Sequence, residues 1–193
     1  MNNVNINKRG FWEDPISKHS RHVHDRALNA EIIKLLKDLN VTSILDLGCG
    51  PGLYSKNFIE NGFDCKCYDG NPYTEEDTNG RCQVLDLSTL VELNRKFDCV
   101  LSLEVGEHIP NQYEDIFIQN ITNHCSNIII LSWAIPGQSG DGHVNCQSND
   151  YIEVLLKNKN FLRNLELEKS LRKSAKRRWF KNTLMVFEKN TNE

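Results

Sequence analysis

The most constraining feature of this sequence is a short glycine-rich stretch that follows an apolar segment. Residues 44–47 are apolar except for Asp46, and they run directly into Gly48, Gly50 and Gly52. Glycine at the first two positions lets the backbone approach a ligand that a Cβ would push away, and Gly52 allows the next helix to pack close to the strand. No Gly-Lys-Ser/Thr follows, which excludes a phosphate loop of the nucleotide triphosphatase type. The stretch predicts a nucleotide-binding turn between a strand and a helix.

The pattern of apolar residues predicts alternating helices and strands over most of the chain. Helical spacing predicts a first helix over residues 27–39. Beyond it the sequence predicts strands at 43–47, 64–68, 82–85, 97–103 and 127–133, helices at 53–61, 90–94 and 112–124, and a loop up to Gly80. Strands separated by helices imply a parallel sheet covered on both faces, so the predicted fold class is α/β.

The last part of the chain departs from this alternation. Residues 151–159 predict a helix, and residues 162–168 and 183–188 predict the sixth and seventh strands. A basic stretch, residues 172–178, lies between these strands, and we interpret it as a solvated surface loop. We expect a single domain, with an N-terminal arm (1–26) over the site and a core (27–193).

Composition narrows the class of protein further. The chain has 193 residues, a net charge of −3 and seven cysteines without close metal-type pairs. The charge argues against a protein that coats nucleic acid, and the cysteines are expected to be reduced thiols. The sequence has no apolar run of about 18 residues and no secretory signal. We therefore expect a soluble cytoplasmic protein without membrane partners.

Two further acids follow strand-like segments in the order expected of a nucleotide site. Asp69 ends the second predicted strand, where a carboxylate accepts hydrogen bonds from ribose hydroxyls, and Asp86 ends the third. Together with residues 45–52, these acids resemble the motifs of class I S-adenosylmethionine-dependent methyltransferases. A dinucleotide-binding dehydrogenase is the main alternative.

The resemblance implies a Rossmann-like, mostly parallel seven-stranded sheet with helices on both faces and a C-terminal antiparallel hairpin. It also implies S-adenosylmethionine as the cofactor, with Asp69 at the ribose and Asp86 at the adenine amino group. The residues assigned to the cofactor are Asp46, Gly48, Gly50, Gly52, Asp69, Asp86, Leu87 and Glu104.

A second group of polar residues follows the fourth predicted strand. Glu104, Glu107 and His108 place two carboxylates and one imidazole within one turn, and His143 lies in a glycine-rich loop after the next strand. Because ligands bind outside the carboxyl ends of parallel strands, these four side chains are predicted to hold one divalent cation, Mg²⁺ or Mn²⁺. The alternative is that the glutamates are solvated and that His108 caps the following helix.

This Glu-x-x-Glu-His set with a later histidine is similar to the metal site of small-RNA 3′-terminal 2′-O-methyltransferases, where the cation holds two neighbouring ribose hydroxyls. The rest of that family's loop pattern is missing here. We therefore still expect an acceptor with two adjacent hydroxyls, but RNA is disfavoured as that acceptor. Catalysis is assigned to Glu107, His108 and His143. Without a metal, either histidine becomes the general base.

The sequence thus predicts a methyltransferase that acts on a hydroxyl of a sugar or glycan. The alternatives are a metal-dependent 2′-O-methyltransferase of RNA 3′ ends, a metal-free small-molecule methyltransferase, and a binding module that has lost the chemistry. Trp133 is expected either to stack on a sugar face or to fill the core. His19, His22 and His24 are candidates for closing over the substrate.

Overall fold

A computed structural model describes residues 5–15 and 22–191 of the chain. In this part of the chain, seven strands form one sheet in the order β3-β2-β1-β4-β5-β7-β6. Their bounds are β1 (Ser43–Leu47), β2 (Asp64–Asp69), β3 (Gln83–Val84), β4 (Phe97–Leu103), β5 (Cys125–Ser132), β6 (Phe161–Arg163) and β7 (Leu184–Lys189). The first five strands pair in parallel, whereas β7 is antiparallel to both β5 and β6. The predicted seven-stranded, mostly parallel sheet with an antiparallel C-terminal pair is confirmed.

Helices cover both faces of this sheet. Their bounds are α1 (Arg26–Asp38), α2 (Leu53–Glu60), α3 (Thr74–Asp77), α4 (Glu114–Asn123), α5 (Asn149–Lys157), α6 (Leu165–Ser174) and α7 (Phe180–Thr183). Side chains alternate along a strand, so β5 sends Ile128 and Ile130 into a core with α1. Ile129 of the same strand faces the opposite core with Phe117 of α4. Both faces are therefore buried, as expected of a parallel sheet.

The prediction of a strand over residues 162–168 was wrong. The strand β6 ends at Arg163, and α6 begins at Leu165. Asn164 separates the two because its side chain accepts hydrogen bonds from the backbone N–H groups of Glu166 and Leu167. Such an N-cap favours a helix start over a continued strand, and it overrode the apolar pattern.

Two other segments differ from their predictions. Residues 90–94 form no helix, because Val91 N–H donates to the Asn120 side chain and Leu93 N–H donates to the His124 ring, which hold the segment extended. The predicted loop before Gly80 contains the short helix α3. The basic stretch is not entirely a loop either, since its residues 172–174 belong to α6.

The topology brings the carboxyl ends of β1, β2, β4 and β5 to one edge of the sheet. The predicted site residues follow these strand ends, so the fold positions them around a common opening. No helix in the described ranges is long and apolar enough to span a bilayer.

Candidate functional site

The carboxyl edge of the sheet opens onto a cavity of about 900 Å³. Nine of the eleven residues that the sequence assigned to cofactor, metal or catalysis line this cavity: Asp46, Gly48, Gly50, Asp69, Asp86, Leu87, Glu104, His108 and His143. Gly52 and Glu107 do not line it and are buried. The predicted cofactor residues and the predicted metal ligands therefore surround one opening.

The glycine turn is fastened to the neighbouring strand β2. The N–H groups of Gly48 and Cys49 both donate to the carbonyl of Tyr68, at 2.8 and 3.0 Å. Gly48 has a φ of +80°, and a Cβ at this position would lie 2.3 Å from a methyl carbon of Val105. Only glycine fits such a position without displacing its neighbour. The turn thus packs tightly against Val105, which a larger residue at this position would displace.

Asp69 closes the second side of the turn. One of its carboxylate oxygens accepts the N–H of Gly50 at 2.8 Å, and the other accepts the N–H of Asn71 at 2.9 Å. A carboxylate oxygen has two lone pairs, so each of these oxygens can accept a further hydrogen bond from a ligand in the cavity. Asp69 is therefore placed to organise the turn and to bind a diol at the same time.

Asp46 lies deeper, at the end of β1. It is 3% exposed and accepts a hydrogen bond from the Ser55 hydroxyl of α2. Burial raises the pKa of this carboxyl to about 7. Near neutral pH the group therefore exists in both protonation states, and it joins the strand to the helix that follows the glycine turn.

Asp86 meets a partner that the sequence analysis did not identify. The Arg9 guanidinium donates to its Oδ2 atom at 2.5 Å, and Ser88 donates to its Oδ1 atom through both N–H and hydroxyl. Burial raises the pKa of Asp86, but these hydrogen bonds outweigh it and hold the pKa below its usual value. Asp86 is thus an anion at neutral pH, and one of its oxygens is engaged by the N-terminal segment.

That N-terminal segment forms part of the cavity wall. Residues 5–15 make a tight turn with an antiparallel bridge between Ile6 and Trp12. Phe11 packs on Gly70, where a Cβ would lie 2.6 Å from the phenylalanine side chain. The Trp12 ring lies 6.4 Å from the His108 ring. Residues 9–12 line the cavity, so an aromatic surface faces the region beside the glycine turn.

Two of the three N-terminal histidines also line the cavity. His22 lies 4.9 Å from Trp12 between ring centroids, and His24 contacts Tyr54. His19 lies outside the described residues. The wall of the cavity therefore carries more imidazole groups than the predicted metal set.

Three of the four predicted metal ligands lie close together at the cavity: His108 and His143 line it, and Glu107 is buried next to them. One ligand atom from each of Glu107, His108 and His143 lies within 4.8 Å of the others. Glu107 is 0% exposed, and both of its carboxylate oxygens lack a hydrogen-bond partner of normal geometry among the described residues. Its Oε1 atom lies 3.9 Å from His143 Nε2. An unpaired buried carboxylate is costly, so this arrangement calls for a proton or a cation.

Backbone contacts fix how the two imidazoles face Glu107. The Nδ1 atom of His108 is 3.2 Å from the carbonyl of Gly142, and the Nδ1 atom of His143 is 3.1 Å from the carbonyl of Gln138. A carbonyl only accepts, so each Nδ1 carries the proton and each Nε2 presents a lone pair. Metal-binding histidines commonly show this arrangement, in which a backbone carbonyl accepts from the other ring nitrogen and orients the ring.

The protonation of these groups follows from burial. Burial, and then the neighbouring His143, lower the pKa of His108 to about 4, so its ring is neutral at physiological pH. Burial, and then the charge of Glu104, raise the pKa of Glu107 well above its ordinary range. A neutral imidazole is the form that binds a metal, whereas Glu107 must lose its proton to do so.

Glu104 stands apart from this cluster. Its two carboxylate oxygens accept hydrogen bonds from Gln138 at 2.8 Å and Thr183 at 3.2 Å. The residue adopts a φ of +56°, which is uncommon outside glycine, at the point where β4 ends. Backbone strain of this kind tends to occur at functional sites. The structure therefore places Glu104 on the cavity wall but outside the compact group of Glu107, His108 and His143.

Trp133 does not stack on a ligand, so the first interpretation of this residue was wrong. It is fully buried and does not line the cavity, and its indole N–H donates to the carbonyl of Asn145 at 2.6 Å. The ring packs against Gly106, where a Cβ would lie 2.2 Å away. Trp133 thus packs against the segment that carries Glu107.

Comparisons with known proteins agree with this fold. A glycine turn and an open cavity at the carboxyl edge of a mostly parallel sheet with an antiparallel C-terminal pair are in keeping with the class I S-adenosylmethionine-dependent methyltransferases that the sequence resembles. A family model described as a methyltransferase domain matches residues 19–167. The chain belongs to this methyltransferase family.

Solved structures of the same fold are similar over most of the chain. The sugar N-methyltransferase KedS8 from Streptoalloteichus has a TM-score of 0.71, with 12% identity over 98% of this chain and 100% of that one. The magnesium protoporphyrin IX methyltransferase from Synechocystis, with S-adenosylmethionine bound, has a TM-score of 0.64, with 16% identity over 86% and 79% of the two chains. At such identities the likeness concerns the fold.

A sequence relative is the ubiquinone biosynthesis O-methyltransferase of Rickettsia conorii, which is 34% identical over 115 residues. The match spans 54% of this chain and 38% of the relative. The match thus covers well under half the length of the relative, so the substrate of that protein is not assigned to this chain.

Proposed function

We propose that this protein transfers a methyl group from S-adenosylmethionine to one hydroxyl of an acceptor that carries two adjacent hydroxyls, and that a sugar is the acceptor. The observation that carries the proposal is the buried carboxylate of Glu107, which has no hydrogen bond of normal geometry among the described residues and forms one compact group with ring nitrogens of His108 and His143 beside the cofactor cavity. This group gives the site the means to hold a cation next to the reacting centre.

The cofactor side of the cavity fits S-adenosylmethionine through three features. The glycine turn, held to β2 through the N–H groups of Gly48 and Cys49, lines the cavity at Gly48 and Gly50. Asp69 has free lone pairs for a ribose diol, and Asp86 lies at the end of the next strand for the adenine amino group. We further propose that residues 9–12 form the roof over the adenosine part of the cofactor.

The second side of the cavity fits a divalent cation. Glu107, His108 and His143 supply one carboxylate oxygen and two imidazole nitrogens. Mg²⁺ prefers oxygen ligands, whereas two imidazoles suit Mn²⁺ or a later metal. Since Glu104 is engaged by Gln138 and Thr183, the compact donor set favours Mn²⁺ over Mg²⁺.

The chemistry asked of the protein is positioning and activation of an oxygen nucleophile. The sulfonium of S-adenosylmethionine supplies an activated methyl group, and a cation bound at the site lowers the pKa of a coordinated hydroxyl. The carbonyls of Gly142 and Gln138 hold the two histidine rings, and Trp133 supports the turn that carries Glu107. These contacts keep the donor set in place during the transfer.

Two observations support a ring-shaped acceptor. Aromatic side chains of the α6–α7 region, Trp179 and Phe180, line the cavity and are not part of the proposed adenosine roof. Flat or apolar faces of a sugar or an aromatic ring stack well on such surfaces. Structural likeness to a sugar N-methyltransferase is in keeping with a sugar, and the O-methyltransferase name of the sequence relative is in keeping with a hydroxyl acceptor.

A second candidate function is a metal-free methyl transfer in which a histidine is the base. The neutral state of His108 favours it, because a base must be unprotonated to accept the proton of a hydroxyl. A third candidate function is methylation of RNA 3′ ends, where the terminal ribose also offers two adjacent hydroxyls. It would need contacts between phosphates and Arg178, which lines the cavity.

The test uses matched pairs of acceptors with S-adenosylmethionine and Mn²⁺, and mass spectrometry to detect the gain of one methyl group. Each pair has a vicinal diol and its monodeoxy counterpart, and the pairs are a monosaccharide, an aromatic diol and a short RNA with a 3′-terminal diol. We expect methylation of the sugar diol and none of its deoxy partner. Methylation of the RNA alone would favour the RNA function, and equal methylation of both members of a pair would contradict the role of the diol.

A further inference from the structure

A cluster of three thiols lies under the cofactor turn, away from the proposed divalent-cation site. The Sγ atoms of Cys49, Cys67 and Cys82 all lie within 4.8 Å of one another. They come from the glycine turn, from β2 and from the residue before β3, and all three are buried. Cys65, the nearest other thiol along β2, does not belong to the group.

The polar surroundings of the cluster favour negative charge on sulfur. Gly52 touches both Cys82 and Arg81, since a Cβ there would lie 2.5 Å from Cys82 Sγ and 3.4 Å from Arg81 Nε. The Arg81 Nε–H is buried and has no hydrogen-bond partner among the described residues. A guanidinium beside a thiol stabilises the thiolate. The guanidinium of Arg81 therefore lies beside the cluster, and its Nε–H group is left without a hydrogen-bond partner among the described residues.

The sulfurs of the cluster make only weak contacts with the backbone. The Cys67 thiol donates to the carbonyl of Arg81 at 3.4 Å, and the Cys49 thiol donates to the carbonyl of Gly50 at 3.8 Å. A thiol is a weak hydrogen-bond donor, so little is lost when these sulfurs bind a soft cation instead.

We propose that Cys49, Cys67 and Cys82 form a three-thiolate site for Cu(I). Sulfurs around one ion at about 2.3 Å from the metal lie roughly 4 Å apart, so the observed spacing requires at most a small inward movement. Cu(I) prefers soft sulfur ligands, whereas Mg²⁺ and Mn²⁺ prefer oxygen and nitrogen. Zn²⁺ in a structural site takes four ligands, and the described residues bring three sulfurs together here.

The binding reaction involves no change of oxidation state. Cu(I) enters, and Cys49, Cys67 and Cys82 bind it as thiolates after each thiol has lost its proton to the solvent. Three thiolates and one monovalent ion leave a net charge of −2 on the cluster, which Arg81 beside Cys82 partly offsets. The site is independent of the proposed acceptor chemistry, because it shares no ligand with Glu107, His108 and His143.

The first test measures the metal on the wild-type protein. The protein is reduced, freed of reductant and titrated with Cu(I) without oxygen against a Cu(I)-specific chelator, and the loaded protein is studied by X-ray absorption. We expect one tightly held Cu(I) per chain with three sulfur neighbours. One or two sulfurs, or nitrogen and oxygen neighbours in their place, would overturn the proposal without any variant being needed.

The second test locates the ion. Cys49→Ser, Cys67→Ser and Cys82→Ser should each weaken Cu(I) binding at least about 100-fold, because each removes a ligand. Cys65→Ser is the matched control, a buried cysteine of the same strand that should bind Cu(I) like the wild type. Circular dichroism of the metal-free proteins verifies folding. Wild-type affinity in a folded Cys82→Ser protein, or equal loss in Cys65→Ser, would refute the assignment.

Discussion

The Nε2 atom of His143 lies 3.9 Å from the Oε1 atom of Glu107. This distance is too long for a hydrogen bond. Two ligand atoms of one divalent ion, each at about 2.1 Å from the metal, lie roughly 3 Å apart, so a small movement would bring both to the same ion. The pair is therefore more easily explained as two halves of a cation site than as a structural ion pair.

The first prediction concerns the cost of keeping Glu107 without a partner. Its folded pKa is raised above the ordinary value of 4.5, so above that pH the native state holds a proton that the unfolded state has lost. By linkage, the contribution of Glu107 to stability decreases as the pH rises toward its folded pKa. In metal-free protein, Glu107→Gln should therefore gain stability relative to wild type from pH 5 to pH 8.

Thermal unfolding in EDTA at the two pH values measures this gain, with about 2–4 °C in Tm expected for each kcal/mol in a chain of this size. Glu75→Gln, which changes an exposed glutamate of α3, is the control. Wild-type and Glu107→Gln melting temperatures that change in parallel with pH would contradict a buried, proton-binding Glu107.

The second prediction concerns removal of the metal. A chelator should abolish methyl transfer but leave the affinity for S-adenosylmethionine unchanged, since the glycine turn and Asp69 share no ligand with the cluster. Mn²⁺ should restore the rate better than Mg²⁺, and His143→Ala should eliminate turnover or raise the metal requirement. Activity assays and calorimetry in EDTA provide the two measurements.

Full activity in excess EDTA would instead assign the proton transfer to a histidine. The pH profile would then identify it. The pKa of His108 is lowered to about 4, so a His108 base keeps its rate as the pH falls from 7 to 5 and loses it near pH 4. A base with the ordinary imidazole pKa of about 6.5 would instead lose its rate below pH 6.5.

The nucleotide half of the site could be predicted because its signals are local. A strand, an acid and three glycines within nine residues define the turn, and they are found together at the end of β1. Asp69 could be placed because it ends the next strand, and parallel strands end at the same edge of the sheet.

Contacts between distant residues could not be predicted from spacing. Arg9 pairs with Asp86 across 77 positions, and no local pattern indicates that pairing. The spacing of the three clustered cysteines along the sequence does not resemble a metal-binding motif either. They come together only through the pairing of β1, β2 and β3. The left-handed backbone of Glu104 could not be predicted either, because a glutamate gives no signal for a positive φ.

The third prediction concerns Asp69 and the cofactor. Asp69→Ala removes charge-assisted hydrogen bonds to the ribose and also releases the N–H of Gly50, so the affinity for S-adenosylmethionine should fall by about 1.5–3 kcal/mol, or roughly 10- to 150-fold. Isothermal titration calorimetry measures the loss. Asp64→Ala, at the exposed start of the same strand, is the control. Unchanged affinity in Asp69→Ala, or tight NAD binding by the wild type, would refute the assignment.

The last prediction is that the basic stretch does not bind nucleic acid. The guanidinium of Arg172 pairs with Glu168 at 3.0 Å and its Nε donates to the carbonyl of Leu184, so this charge is engaged within the protein. The backbone N–H groups of Lys176 and Arg177 both donate to Asp25, which fixes the course of the chain there. Arg172 is therefore not available to follow a phosphate backbone, and the net charge of −3 disfavours nucleic-acid binding by the chain as a whole.

Fluorescence titration with a short single-stranded RNA at physiological salt should accordingly give a dissociation constant weaker than about 10 µM, as for non-specific electrostatic binding. The double variant Arg177→Ala/Arg178→Ala should change it by less than about threefold, and Lys56→Ala/Lys66→Ala, which removes two exposed lysines outside the basic stretch, is the control. Arg178 lines the cavity, so this variant also reports whether the reacting end of an RNA reaches the site. Submicromolar binding that is lost in the arginine variant and kept in the lysine control would make RNA the acceptor and displace the sugar.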